Sequence, residues 1–385
     1  MSSDALDEKP ESIDPRFIRD VGRFRSCLVG GGLTIFSIAV GLFVVNAAFI
    51  IWIRSPLQSR SFPREVISLL SVPTRWLYPD TGRTGSSADI ALIGDSYVNG
   101  DGDSFRAGAY QYSLGHFLHS KTGKSFSVYA ASGTNLPTST SFYESGLKGD
   151  LWPLFDSIPL DRQPSVIWLF FYEGNDLDDY FRVKKAGFPT VHESLPWSVR
   201  FFPLRYYLGR SSGRSAELIW GRREPVGRTP LQDLRDLPNM GRLQGASPSL
   251  SEEQVSEAIE FTANEILDFA KSNKTDKICL FYIPSPVTTY QLPKTTSYVV
   301  STGDTIIVSR ELNNIRSKKI RESLRFYLGE IVQFVDLTEA IQLAAQSHVL
   351  HGSIDPHHFN SVGYESFSEV VLAEGKSCFP AMSDA

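Results

Sequence analysis

Cysteine is scarce: Cys27, Cys279 and Cys378 are the only three in 385 residues. Cys27 falls in an apolar run and Cys279 in a predicted strand, so their spacing gives neither a disulfide framework nor a metal-ligand pattern. Cysteine usage therefore leaves the redox compartment open. An excess of charge is missing too. With 38 basic residues against 43 acidic ones the formal net charge is -5, too balanced for a nucleic-acid partner or an acidic tail. No internal repeat is found, which removes repeat arrays from consideration. Charge is absent altogether from Cys27 to Ile53, a stretch long enough to cross a bilayer core of ~30 Å as a helix. A cleavable signal has an apolar core of only ~7–15 residues, so a retained single-pass anchor is expected. Lys9, Arg16, Arg19, Arg23 and Arg25 precede it, and Arg54, Arg60 and Arg64 follow. That bias puts the N-terminus in the cytoplasm and everything after residue 54 outside it, in a periplasmic or extracellular space.

With 42% hydrophobic residues the remainder can bury a full core. Residues 1–26 read as a polar, disordered cytoplasmic tail. Residues 54–87, with Pro56, Pro63, Pro73 and Pro79 around a short apolar helix from Val66 to Leu70, read as a stalk. A domain is expected over 88–385. Apolar, β-rich runs recur at Ile90 to Ile93, Phe126 to Ala130, Val166 to Tyr172, Ile278 to Ile283 and Ile331 to Leu337. Helical patterns separate several of them. Ser251-Glu-Glu-Gln254 is a capping box, after which Val255, Ile259, Ile266 and Phe269 share one helix face to about Lys271. A second helix is expected from Ser309 to Leu328. Strands alternating with helices imply a doubly wound α/β sandwich on a five-stranded parallel sheet. Residues 181–245 interrupt the alternation with an irregular, Pro- and Arg-rich insertion between the third and fourth strands. In it Trp197, Phe201, Phe202, Leu204, Tyr206, Tyr207 and Leu208 interleave with Arg200, Arg205 and Arg210. Such a mixture suits a membrane surface, a sugar cleft or a subdomain packed on the core.

The first run breaks at Gly94 and delivers Ser96 just past a predicted strand end, where backbone N–H groups lack partners and ligands collect in open α/β sheets. Acyl transfer by a serine also needs a base, a group to orient it and donors for the oxyanion. Later strand ends offer all three. After the second come Ser132-Gly133-Thr-Asn135, where Gly133 can bring its N–H close to a substrate oxygen; after the third comes Glu173-Gly-Asn175-Asp176, where the Asn175 carboxamide can donate. Near the end, Asp355 precedes His358 by three residues, so a turn can place its carboxylate on the imidazole's far nitrogen. Each segment alone also serves as an ordinary turn. Their joint occurrence at successive strand ends is what points to a serine hydrolase site.

The set Gly94-Asp95-Ser96, Gly133, Asn175 and Asp355-x-x-His358 resembles the four blocks of the SGNH superfamily, the GDSL-type esterases and lipases, over roughly Ala88 to the C-terminus. The resemblance implies a flavodoxin-like sheet, with Ser96 as nucleophile, His358 as general base and Asp355 orienting it. It also implies an oxyanion hole of the Ser96 N–H, the Gly133 N–H and the Asn175 side chain, with no cofactor and no metal. Tyr97 departs from the apolar residue frequent in the family, and His357 adjoins the expected base. An α/β-hydrolase elbow is disfavoured because Val98 occupies its last glycine position. Asn99, Asp101 and Asp103 alternate like a calcium loop, but Tyr110 stands where a bidentate glutamate is needed. Glu173, Asp176, Asp178 and Asp179 are too crowded to flank a glycosidic bond. The expected activity is hydrolysis of O-acyl groups, acetyl foremost, on a cell-surface or secreted polysaccharide. A polysaccharide O-acetyltransferase would use the same residues, although some in the family place the Asp-His pair ahead of the serine. A non-catalytic glycan-binding or scaffold subunit is the reading from another class.

Overall fold

The structure, a computed structural model, describes residues 34–48 except 35 and 46, then 81–82, 88–102, 113–130, 134–147, 163–186, 243–290, 295–299, 305–352 and 357–379. The chain forms two compact units, Met1–Trp52 and Ile53–Ala385. In the first, the described residues are helical, and Phe36, Leu42, Phe43 and Val45 expose their apolar side chains. Among the described residues no helix is long and apolar enough to cross a membrane. Much of the expected span from Cys27 to Ile53 lies outside them, as do the tail before it and most of the stalk after it.

In the second unit the described strands are β1 (Ile90–Gly94), β2 (Phe126–Ala130), β3 (Val166–Tyr172), β4 (Lys277–Ile283), β5 (Thr295–Val299), β6 (Thr305–Ser309) and β7 (Gln333–Asp336). Five of them form one sheet in the order β2-β1-β3-β4-β7. Every pairing in that sheet is parallel, as the strand-helix alternation requires. β5 and β6 pair antiparallel in a separate two-stranded sheet. The described helices of this unit are α1 (Ser96–Asn99), α2 (Leu114–Thr122), α3 (Leu136–Leu147), α4 (Asp176–Ala186), α5 (Glu252–Ser272), α6 (Pro286–Thr289), α7 (Arg310–Leu328), α8 (Thr338–Ser347) and α9 (Ser361–Glu374).

Why β3 reads as an unbroken apolar run is plain from its position at the centre of the sheet. All seven of its residues, Val-Ile-Trp-Leu-Phe-Phe-Tyr, are buried, because side chains alternate between two covered faces. Leu92, Phe170 and Phe281 meet α2, α8 and α9 on one side, and Ile93, Leu169 and Leu280 meet α3, α5 and α7 on the other. Each such side chain contributes about 1.5–3 kcal/mol by leaving water. Local signals fix the helix ends. Ser251 and Gln254 close the capping box that opens α5, and Ser309 caps α7 by accepting the Leu312 N–H at 3.2 Å.

Several expectations are corrected. The last sheet strand is Gln333–Asp336, shorter than Ile331 to Leu337, because Ile331 lies in the turn after α7, 58% exposed. The antiparallel pair β5–β6 is an addition to the expected elements. The insertion's first residues continue α4 as far as Ala186, and residues 187–242, including the aromatic and arginine stripe, lie outside the described residues. Thr81, expected in the stalk, already accepts the Phe126 N–H at 2.8 Å at the start of β2. The cysteines also pair: Cys279 in β4 and Cys378 in the 3₁₀ turn Lys376–Cys378 form a disulfide across 99 residues. Their spacing in the sequence concealed this because only the fold brings the C-terminal turn under the sheet. There Trp168 Nε1 donates to the Cys378 carbonyl at 3.0 Å.

Candidate active site

β1 lies between β2 and β3, so the chain leaves it towards one edge and later returns on the other side. Ligands of open α/β sheets bind in the crevice such a reversal leaves at the strands' carboxyl ends. Ser96 stands there. Gly94 lets the turn form, since a Cβ at that position would lie 2.5 Å from Val98 Cγ2 and 3.1 Å from Phe170 Cβ. Asp95 then caps the single turn of α1 by accepting the Tyr97 N–H at 3.0 Å. Gly100 ends the turn at φ 90°, and the N–H groups of Gly100 and Asp101 both donate to the Ser96 carbonyl at 3.0 Å. The serine is thus gripped by its backbone and is 4% exposed.

The second half of the site comes from the other end of the chain. Residues 349–352 and 357–360 run antiparallel to each other: His351 bridges Phe359, Gly352 N–H donates to the His358 carbonyl at 3.0 Å, and Asn360 N–H donates to the Leu350 carbonyl at 2.8 Å. Asn360 also caps α9, accepting from Gly363 N–H at 2.8 Å, while its amide nitrogen donates to the carbonyls of Val349 and His351. This antiparallel pair of segments docks on the serine turn. Gly102, at φ +147°, sits so close to it that a Cβ would fall 2.3 Å from the Phe359 carbonyl oxygen, and Tyr364 donates to the Asp101 carbonyl at 2.6 Å. Docking brings His358 Nε2 to 2.8 Å from Ser96 Oγ, 262 residues apart in sequence.

Of the other residues singled out in the sequence, Asp355 and Gly133 lie outside the described residues. Asn175, at the start of α4, turns its amide nitrogen to Asp179 Oδ2 at 3.2 Å, while its Oδ1 has no hydrogen-bond partner. Asp179 in turn interacts electrostatically with Asp95, so the start of α4 lies beside the serine turn.

The carboxyl groups divide by environment. Burial pushes Asp95 up to about 7 despite the Tyr97 N–H that favours its anion. Asp176 lies well above the usual carboxylate range, chiefly through burial and then through the Asp95 charge, and burial likewise raises Asp178 to about 7. Glu173 is enclosed instead. It accepts from Ser285 N–H at 2.8 Å, Ser285 Oγ at 2.7 Å and Ser317 Oγ at 2.6 Å, and from the hydroxyls of Tyr282 and Thr288. With five donors around it and no exposed surface, Glu173 ties β3, β4, α6 and α7 together rather than facing a substrate.

Tyr97 is a contributor the sequence marked only as a departure from the family pattern. Its phenol is held well above its usual range by burial, so it remains a donor, and it donates to the His357 carbonyl. Its ring lies 5.3 Å from the His358 imidazole and edge-on to Phe359 at 5.0 Å. Compared with known protein families, characterised proteins and solved structures, the chain matches none.

Proposed function

We propose that the protein is a serine-dependent acyl ester hydrolase of the SGNH type, on a flavodoxin-like sheet. The observation that carries this reading is the 2.8 Å contact between Ser96 Oγ and His358 Nε2 at the carboxyl end of the sheet. A hydroxyl reaches nucleophilic strength at neutral pH when an imidazole at hydrogen-bond distance takes its proton as the new bond forms. Ser96 Oγ attacks the ester carbonyl carbon while His358 Nε2 takes the serine proton. The tetrahedral oxygen is held by the N–H of Ser96 and Gly133 and by the Asn175 amide. Collapse breaks the bond to the alcohol oxygen, which leaves with the proton from His358. Water then attacks the Ser96 ester as His358 takes its proton; the bond from the acyl carbon to Oγ breaks, the acid is released and His358 returns the proton to Ser96 Oγ. Asp355 holds the imidazole with Nε2 towards the serine.

The substrate class follows from place. The uncharged stretch from Cys27 to Ile53 supports a membrane anchor, and the Cys279–Cys378 disulfide supports an oxidising, extracytoplasmic compartment for the domain. O-acylated polysaccharide of the cell surface is the ester such an enzyme meets there. Fluorophosphonate labelling of the full chain, compared with Ser96→Ala, tests the nucleophile: labelling lost in the variant is expected, and labelling equal in both would overturn the reading. Following p-nitrophenyl acetate with and without oligosaccharide then separates transfer from hydrolysis, because acetylated sugar would identify an acetyltransferase.

A further inference from the structure

One buried polar chain at the site has no part in the chemistry above. Tyr290 Oη receives the backbone N–H groups of Leu350 at 3.0 Å and His351 at 3.1 Å, and it lies 2.8 Å from His351 Nδ1. His351, 1% exposed, turns its Nε2 to Tyr97 Oη at 3.4 Å, and Tyr97 in turn meets the His357 carbonyl. The two ends of this chain fix the direction of every link. Backbone N–H groups only donate, so they occupy both lone pairs of the Tyr290 oxygen and leave its O–H to donate to Nδ1. The ring proton of the neutral imidazole then sits on Nε2 and points at Tyr97 Oη. At the far end a carbonyl only accepts, so the Tyr97 O–H must point at His357.

We propose that Tyr97 and His351 are positioning residues for His358, forming a one-way hydrogen-bond chain from Tyr290 through His351 and Tyr97 to the His357 carbonyl that holds the base against Ser96. The proposal rests on the hydrolase reading. Its physical content is that Tyr97 belongs to the serine turn while His351 and His357 belong to the two paired limbs 349–352 and 357–360. One phenol therefore locks both limbs to the residue following the nucleophile. Fixing the His357 peptide plane fixes the direction in which the next side chain leaves the backbone, and the Tyr97 ring flanks the imidazole at 5.3 Å. A leucine or phenylalanine could fill the same space without setting that plane. Placement matters because a misplacement of about 1 Å in a reacting group costs on the order of 100-fold in rate.

The test uses the full chain with Tyr97→Phe, which keeps the ring, His351→Phe, and both together. Each single variant is expected to lower kcat for p-nitrophenyl acetate about 10- to 100-fold with KM within about twofold. The double variant is expected to match the worse single one, since both cut the same chain. Nitrogen NMR of the His351 ring supplies a readout apart from activity, with the proton expected on Nε2. Wild-type kcat in Tyr97→Phe, additive losses in the double variant, or a His351 proton on Nδ1 would each overturn the chain while leaving the hydrolase standing. Absence of Ser96-dependent labelling in the wild type would overturn the hydrolase itself, and with it the role of His358 as a base.

Discussion

Asp95 shows how a single side chain here serves a turn at a cost. It caps α1, touches Ser96 Oγ with its second oxygen at 3.4 Å and has no exposed surface. Its carboxyl lies near 7 in the fold against 3.8 without it. Between about pH 4 and pH 7 the folded chain therefore holds a proton that the unfolded chain has lost, and the stability from this residue falls as pH rises through that window, levelling above it. Asp95→Asn keeps an acceptor for the Tyr97 N–H and removes the titration. Urea denaturation from pH 4 to pH 8 should show the variant gaining on the wild type by up to about 4 kcal/mol, most of it by pH 7. Asp178 slopes in the same direction, so some pH dependence persists. On the proposed chemistry, His358→Gln is expected to slow the reaction of Ser96 by about 100- to 10,000-fold, read from the rate of fluorophosphonate labelling.

Between elements, the contact that matters is the seating of the paired segments 349–352 and 357–360 on the serine turn. Gly102→Ala meets two obstacles at once, a φ of +147° and a Cβ position 2.3 Å from the Phe359 carbonyl oxygen. It should cost about 1–3 kcal/mol and, on the proposed chemistry, reduce hydrolysis more than any surface alanine, with urea denaturation and kcat as the two readouts. Glu173→Gln leaves five donors around an amide that brings donors of its own, and a loss of about 1–3 kcal/mol is expected in the same denaturation. These joints were invisible in the sequence, whereas the elements were not. Phe126 to Ala130 and Val166 to Tyr172 form strands with the expected bounds because buried parallel strands consist of almost nothing but apolar residues. The capping box at Ser251 is just as local. The sequence singled out Ser96 and His358, whose side chains the fold brings to 2.8 Å, but not the Tyr97–His351–Tyr290 chain, since a buried tyrosine and a buried histidine leave no periodic mark. The Thr- and Ser-containing segments of β5 and β6 carry little of the unbroken apolar signal of the sheet strands.

Across the whole molecule, the disulfide closes a separation of 99 residues from β4 to the final turn. Cross-links of that span stabilise by about 2–4 kcal/mol, largely by restricting the unfolded chain. Cys279→Ala with Cys378→Ala should lower the urea midpoint accordingly, and dithiothreitol should do the same to the wild type. Ser96 and His358 themselves meet only across 262 residues of sequence. On the proposed chemistry, a polypeptide still emerging from the ribosome carries its nucleophile long before it carries the base. Esterase power would then arrive only once residues 357–360 have been made and seated, and a chain that stops short of them would be inert towards the esters it passes.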